Sequence, residues 1–284
     1  MKTRVISAAV LLPVLLVVVL ALPAWGTAVL FGLAGALAAY ELLFQTRLVT
    51  SPRLVVYAMV MAFLTSLWSL KQDANLARIG ILLYCVALFS ELLFSHRKVS
   101  VEKVCVAFAG GLLVPYLLTS LVRIRAMYAG PDPSDTELGK YYVLIAFIVA
   151  FSADTGAYFA GRAFGKHKLA PVVSPKKTIE GAIGGVLSSI LLVELYGALL
   201  HFTFSFDVVW WYGILYGLLG AAISILGDLT FSVVKRQVGI KDYSNLIPGH
   251  GGILDRFDSM LLVAPVVEIL LRTLTFAVPV VGMG

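Results

Sequence analysis

The chain has 284 residues, of which 60% are hydrophobic and 13% charged, with a formal net charge of +6 and a mean hydropathy of +0.95. A soluble globular domain carries about 25% charged residues, so this composition excludes a water-soluble protein and favours an integral membrane protein. The positive-inside rule alone makes membrane proteins basic. The charge therefore does not indicate a nucleic-acid partner, and none is expected.

Apolar segments of about 20 residues, long enough to cross a bilayer, recur along the whole chain. We predict an all-α fold, a polytopic membrane bundle of about nine helices, because lipid forces backbone polar groups to pair within each helix. The predicted helices lie at 5–24, 27–44, 54–70, 78–95, 104–122, 141–160, 179–200, 209–231 and 256–280. A signal peptide is the alternative for the first, but its long apolar run without a clear cleavage site favours an uncleaved helix.

The candidate functional residues divide the chain into two regions. Residues 1–140 hold five predicted helices and few polar motifs. Residues 141–284 hold the other four, together with the loops 161–178 and 232–255. We therefore expect a catalytic region at 141–284 that follows an N-terminal set of transmembrane helices.

Basic residues in short loops set the orientation of a membrane protein. Of the 22 lysines and arginines, 16 fall in the N-terminus and the even-numbered loops. These are Lys2, Arg4, Arg47, Arg53, Arg97, Lys98, Lys103, Arg162, Lys166, Lys168, Lys176, Lys177, Lys235, Arg236, Lys241 and Arg256. We predict a cytoplasmic N-terminus, and both motif loops on the cytoplasmic side of a bacterial cytoplasmic membrane.

Acidic residues in or beside transmembrane segments are functional candidates, because an unpaired charge there costs several kcal/mol. Asp154 lies near the cytoplasmic end of the sixth predicted helix. Asp228, Ser232 and Lys235 stand at i, i+4 and i+7, on one face of the eighth helix. Asp255, Asp258 and Ser259 share a face at the start of the ninth.

Carboxylates gathered at a membrane boundary repel one another unless a cation neutralises them. Ligation by oxygen alone indicates Mg²⁺, with Mn²⁺ as a substitute. The alternative is a set of ion pairs between helices, for example Asp255 with Arg256. The joint presence of Asp228 and Asp255 beside Lys235, Lys241 and a glycine-rich turn favours the metal.

The segment at 174–181 has the pattern of an anion site. Ser174 reads as a helix N-cap and Pro175 as the first helical residue. Lys176 and Lys177 would then lie in the first turn, where they oppose the helix dipole unless an anion is bound. The alternative is that both lysines are simple topology signals.

A second candidate for phosphate binding is the turn that contains Gly251 and Gly252, since glycines permit close backbone approach. Glycines beside a proline also make ordinary turns. His250 could serve as a phosphate donor, and a turn-stabilising role is an equal alternative.

From Ser232 to Asp258 the chain reads SVVKRQVGIKDYSNLIPGHGGILDRFD. This segment resembles the signature of the phosphatidate cytidylyltransferase (CDP-diglyceride synthase) family: Ser-x-apolar-Lys-Arg, Lys-Asp, His-Gly-Gly and Asp-Arg-apolar-Asp. The upstream DTGAYFAGRAFGKHKLAPVVSPKKTIEG, residues 154–181, is also similar to that family. Residues 1–140 agree only in hydropathy.

The resemblance implies an enzyme of phospholipid synthesis that converts CTP and phosphatidic acid into CDP-diacylglycerol and pyrophosphate. It implies Mg²⁺ held by Asp228 and Asp255, a monovalent cation beside it, and a homodimer. Asp258 and Asp154 are expected either as additional metal ligands or as residues that support the ligands. Lys176 and Lys235 are expected to be catalytic together with Asp228 and Asp255. The residues expected to hold substrate oxygens or to act as local donors are Ser174, Lys176, Lys177, Ser232, Lys235, Arg236, Lys241, His250, Gly251, Gly252 and Arg256.

Two alternatives remain open at this point. The acceptor could be another membrane lipid phosphate, such as an archaeal ether lipid. A transporter lined by Asp154, Asp228 and Asp255 is the non-enzyme alternative, although these acids cluster at one membrane face and do not mark a path across it.

Overall fold

The computed structural model describes residues 2–127 and 135–279, with the side chains of 2–8 and 135–137 outside the description. The side chains of Lys2 and Arg4, which count toward the predicted orientation, and residue 280 of the last predicted helix therefore lie outside the described residues. The chain divides into two compact units. One contains Met1–Lys140 and Val234–Asp258, and the other contains Tyr141–Val233 and Ser259–Gly284.

The first unit is built on small residues that let helices approach closely. Its elements are α1 (Lys2–Leu20), α2 (Ala24–Tyr40) with a π-helical turn at Glu41–Gln45, α3 (Pro52–Lys71), α4 (Ala74–Phe94), α5 (Val101–Phe108) with a second π-helical turn at Ala109–Leu113, α6 (Val114–Leu118) and α7 (Ser120–Ala126). A Cβ at Gly32 of α2 would lie 2.6 Å from the Ser66 hydroxyl of α3. Small interface residues of this kind are the usual means of packing helices in membranes.

Helix α8 (Asp135–Phe164) and helix α10 (Trp210–Gln237) each contribute residues to both units. After α10, an irregular segment and the short helix α11 (Leu254–Phe257) complete the first unit. The remaining elements belong to the second unit: β1 (Lys168–Ala170), β2 (Ser174–Thr178), α9 (Ile179–Phe204), β3 (Phe206–Val208), α12 (Met260–Thr273) and β4 (Ala277–Pro279).

Within the second unit, α8 and α9 pack through glycines. A Cβ at Gly156 would clash with the Ser188 side chain, and Ser188 Oγ donates to the Ser152 carbonyl at 3.0 Å. Two short antiparallel ribbons, β1–β2 and β3–β4, join the ends of helices. The ribbon β1–β2 fixes the segment that leads into α9.

The predicted fold class is confirmed: the protein is an all-α, polytopic integral membrane protein. In the described part of the chain, seven helices are long and apolar enough to cross a membrane. They are Ala24–Gln45, Pro52–Lys71, Ala74–Phe94, Val101–Ala126, Leu138–Phe164, Ile179–Phe204 and Trp210–Gln237. Of the two other predicted spans, the first corresponds to α1 (Lys2–Leu20), whose described side chains, Ala9–Leu20, form an apolar helix, and the last is confined to the 14 residues of α12. That helix is shorter than predicted because Leu254–Phe257 forms α11 separately and Ala277–Pro279 forms strand β4.

The predicted helix start at Ser174 and Pro175 is wrong. Residues Ser174–Thr178 form strand β2, and α9 begins at Ile179 with Thr178 as its N-cap. The Thr178 hydroxyl accepts from the Gly181 amide at 3.1 Å. The strand is favoured because Ser174–Thr178 pairs with Lys168–Ala170. Lys176 and Lys177 therefore precede the helix and do not lie in its first turn.

Candidate active site

In the first unit, the Asp255 carboxylate is held by three donors. Its Oδ1 accepts from Lys235 Nζ at 2.8 Å, and its Oδ2 accepts from the amides of Tyr243 at 2.7 Å and Gly252 at 2.9 Å. The side chain is 2% exposed. Gly251 makes the turn possible, because its φ of +83° is a conformation that L side chains rarely adopt. The signature residues thus fold into one hydrogen-bonded unit around Asp255.

Lys235 is the positive centre of this cluster. Besides Asp255, its ammonium lies 3.8 Å from Asp258 Oδ2 and 5.4 Å from the centre of the Tyr243 ring. Burial raises the pKa of the Tyr243 phenol above its ordinary value, and the carboxylates of Asp255, Asp258 and Glu41 raise it further. The phenol is therefore neutral at physiological pH. The negative charges of the neighbouring acids are compensated by Lys235 and by backbone amides.

Glu41 is a member of this cluster that the sequence did not reveal. Its Oε1 accepts from the Ser244 hydroxyl at 2.6 Å and from the Ile253 amide at 2.9 Å, and its Oε2 accepts from the Leu254 amide at 2.8 Å. It is 1% exposed. A residue from the N-terminal helices therefore contacts the signature segment directly.

Beside the cluster, the first unit has a polar cavity of about 450 Å³. Its lining residues are Lys241, Asp242, Asn245, Gly249, His250, Gly251 and Arg256. The Nδ1 atom of His250 is buried and has no hydrogen-bond partner within the described structure. Since buried polar atoms are normally paired, this atom and the basic lining indicate a site for an anionic ligand. Arg236, also predicted at the site, instead donates to the Ile240 carbonyl at 3.3 Å.

In the second unit, Asp228 is paired with a lysine. Its Oδ2 lies 2.5 Å from Lys177 Nζ, with 25% of the lysine side chain and 28% of the aspartate side chain exposed. Its Oδ1 accepts from Ser232 Oγ at 3.2 Å, which confirms that Asp228 and Ser232 share one helix face. The sequence identified both residues but did not predict Lys177 as the partner of Asp228.

The other predicted residues of the second unit are less tightly held. Asp154 receives long contacts from the Ser224 hydroxyl at 3.5 Å and the Ser259 hydroxyl at 3.4 Å. Lys176 is exposed on β2, and Ser174 is partly buried at the start of the same strand. Of the two neighbouring lysines, Lys177 is therefore the one that contacts an acid.

The acids can be compared with the requirements of a divalent cation. Among the described residues there is no group of three or more His, Cys, Asp or Glu side chains that could hold a metal ion. Magnesium commonly uses only one or two carboxylates and completes its shell with water and substrate phosphates. Asp228 and Asp255 offer the hard oxygen ligands that it prefers, and each already binds a lysine ammonium. The chemistry of each carboxylate, taken singly, therefore fits a ligand of such a cation.

Seven apolar helices in the described part of the chain define a membrane-embedded protein, whose first unit has a basic cavity beside the Lys235–Asp255 pair. The sequence profile of the cytidylyltransferase family matches residues 2–274. The chain belongs to this family.

Three bacterial relatives named phosphatidate cytidylyltransferase are similar to the chain. The protein of Haemophilus influenzae is 44% identical over 158 residues, which are 56% of this chain and 54% of the relative. That of Staphylococcus haemolyticus is 45% identical over 150 residues, 53% of this chain and 55% of the relative. That of Staphylococcus aureus is 49% identical over 133 residues, 47% and 50%. The chain thus spans about half the length of the curated relatives it matches.

Proposed function

We propose that this protein is a phosphatidate cytidylyltransferase, which converts CTP and phosphatidic acid into CDP-diacylglycerol and pyrophosphate. The observation that carries the proposal is the family match across residues 2–274, together with relatives of that name. The basic cavity with the unpartnered His250 Nδ1 supports it, since both substrates are phosphate anions.

The reaction is an in-line displacement at phosphorus. A phosphate oxygen of phosphatidic acid forms a bond to the α-phosphorus of CTP, and the bond from that phosphorus to the bridging oxygen of the β-phosphate breaks. Pyrophosphate leaves with the electron pair. The attacking phosphate is already anionic at neutral pH, so the reaction requires no general base. The contribution of the protein is positioning and charge neutralisation, as in phosphoryl transfer generally.

The cavity residues have a direct role in this scheme. Lys241, Arg256 and the amide of Gly251 would hold triphosphate oxygens, and His250 would donate to one of them from its ring. Lys177 and Lys235 each pair with an acid, and in this scheme each ammonium would also contact a substrate phosphate. Binding by several fixed donors aligns the attacking and leaving oxygens.

We also propose Mg²⁺ as the cofactor, with Asp228 and Asp255 as ligands and Asp154 and Asp258 as the further acids to test. A divalent cation neutralises the charge of the transferred and leaving phosphates. The support is that both carboxylates are hard oxygen ligands and that each lies beside a cationic side chain. On the positive-inside rule, the site would open to the cytoplasm, where CTP is made.

The deciding experiment is incorporation of radiolabelled CTP into chloroform-extractable lipid by the purified protein in detergent. Phosphatidic acid, an ether-lipid phosphate and an isoprenoid phosphate are compared as acceptors, with release of pyrophosphate measured in parallel. Label in lipid with phosphatidic acid at a higher kcat/KM than with the other acceptors supports the proposal. Transfer only to another acceptor would change the substrate, and no transfer to any acceptor would overturn the activity.

A further inference from the structure

Glu41 has an unusual location for a carboxylate. It lies where α2 passes into the π-helical turn Glu41–Gln45, inside a helix that is long and apolar enough to span a membrane. π-Helical turns of this kind are frequent at functional sites. Its side chain is almost fully buried, and among the described residues no lysine or arginine pairs with it. A charge in such a place requires specific compensation.

That compensation comes from a distant part of the chain. The two oxygens of Glu41 accept the consecutive amides of Ile253 and Leu254, and one also accepts from Ser244. The partners are 203 to 213 residues away in sequence. One carboxylate therefore fixes both ends of the segment that joins Ser244 to α11.

The same segment carries the Asp255 carboxylate, which takes the preceding amide, that of Gly252. Three successive amides, at 252, 253 and 254, are thus bound by two acids. Gly252 must be a glycine for this packing, since a Cβ there would lie 2.5 Å from Glu41 Oε2. Displacing Glu41 would leave the amides of Ile253 and Leu254, directly before Asp255, without their hydrogen-bond acceptor.

We propose that Glu41 is a positioning residue for the transfer reaction: it fixes residues 252–254 and thereby the orientation of Asp255. The inference rests on the proposed function and on the proposed metal role of Asp255. Glu41 itself touches no substrate in this scheme. It acts through the backbone of the signature segment.

The first test is amide hydrogen exchange of the purified protein in detergent. In Glu41→Gln the side chain keeps its shape, but one oxygen becomes an NH₂ group that faces a donor. Exchange of the Ile253 and Leu254 amides should accelerate by at least about tenfold, given that hydrogen bonds to charged groups are among the stronger ones. Glu91→Gln is the matched control. Glu91 is also a buried acid of the first unit, but its partners are Ser95 and Arg53, so its loss should leave exchange at 253 and 254 unchanged.

The second test separates positioning from general destabilisation. If Glu41 orients Asp255, Glu41→Gln should raise the Mg²⁺ concentration for half-maximal activity by at least about tenfold and lower kcat, and Glu91→Gln should do neither. Glu41→Asp retains the charge but is one methylene shorter, so it should reach only one of the two amides. Its Mg²⁺ requirement should rise, and its kcat should fall, by less than in Glu41→Gln. This variant decides the question if Glu41→Gln fails to fold.

Unchanged exchange at 253 and 254 would overturn the inference, and so would faster exchange with an unaltered Mg²⁺ requirement. If the wild type transfers no cytidylyl group, the proposed function fails instead. The exchange measurement still decides whether Glu41 fixes the segment.

Discussion

Lys235 Nζ donates to Asp255 Oδ1 at 2.8 Å, and the two side chains are only 11% and 2% exposed. The ammonium also faces Asp258 at 3.8 Å. One lysine therefore faces two acids of the signature segment and can balance the charge of only one of them. A buried pair of this kind costs free energy to assemble, and removing one partner leaves an uncompensated charge.

Replacing Lys235 with Met should lower the free energy of unfolding by about 3 kcal/mol, because it leaves Asp255 buried without its cation. Asp255→Asn should lower the free energy of unfolding by less, since Lys235 retains Asp258 nearby. The double variant should lose less stability than the sum of the two single variants, with a coupling energy of about 1–3 kcal/mol, as expected for contacting groups. Denaturant titration in detergent measures these values. Lys241→Met, an exposed lysine of the same unit, is the control and should stay within about 0.5 kcal/mol of the wild type. Additive effects of the first two changes would contradict the pairing.

The sequence revealed those site residues whose spacing is local. Asp228 and Ser232 are four residues apart on one helix, and their hydrogen bond follows from helical geometry. The acids of the signature segment were likewise recognisable as charges within an apolar region. Glu41 is also an acid within an apolar predicted helix, but nothing local indicated its partners, because they are about 200 residues away. Long-range contacts of this kind depend on the tertiary packing of helices.

The predicted start of α9 was wrong for a different reason. Both Ser174 and Thr178 are good N-cap residues, and Pro175 favoured the earlier position. The choice is made by tertiary contacts: β2 pairs with β1, and Glu180 accepts from the backbone amides of Lys166 and His167. These interactions fix the ribbon and leave Thr178 to cap the helix. Neither contact is encoded by local propensity.

The two lysines of β2 should differ in their effects. Lys177→Met removes the partner of Asp228 and should lower both the rate of transfer and, slightly, the thermal stability, since the pair is partly exposed. Lys176→Met should raise the KM for CTP or phosphatidic acid without altering stability, because Lys176 is exposed on the strand. Steady-state kinetics and thermal unfolding distinguish the two outcomes. Lys168→Met, on the adjacent strand, controls for loss of charge alone. Normal kinetics in Lys177→Met would remove that lysine from the site.

The orientation is tested by thiol labelling in a background with Cys85→Ala and Cys105→Ser. Cysteines at the exposed positions Lys166 and Asn245 should resist a membrane-impermeant reagent in intact cells and react once the membrane is opened. A cysteine at Asn75, exposed in the first turn of α4 at the end predicted to face outside, should label in intact cells. Labelling of either motif position in intact cells would reverse the orientation and remove access to cytoplasmic CTP.

The last prediction is that Asp228 and Asp255 both bind the catalytic cation. Asn keeps the size and a neutral oxygen of Asp but lacks the charge that holds a hard divalent ion. Asp228→Asn and Asp255→Asn should each abolish transfer from CTP while the protein still inserts and purifies. Asp207→Asn, an exposed acid on β3, should retain activity.

A measurement without substrate turnover completes this test. A cation that binds only the folded protein stabilises it by mass action, so wild type should unfold at a higher temperature as Mg²⁺ is added. Asp228→Asn and Asp255→Asn should each show a smaller rise in unfolding temperature with Mg²⁺ than the wild type. The control Asp207→Asn should show the full rise. Near-normal activity in both Asp→Asn variants at ordinary Mg²⁺ concentrations would place the metal elsewhere. Asp154 and Asp258 would then be the pair to replace, because they are the other two acids proposed as ligands.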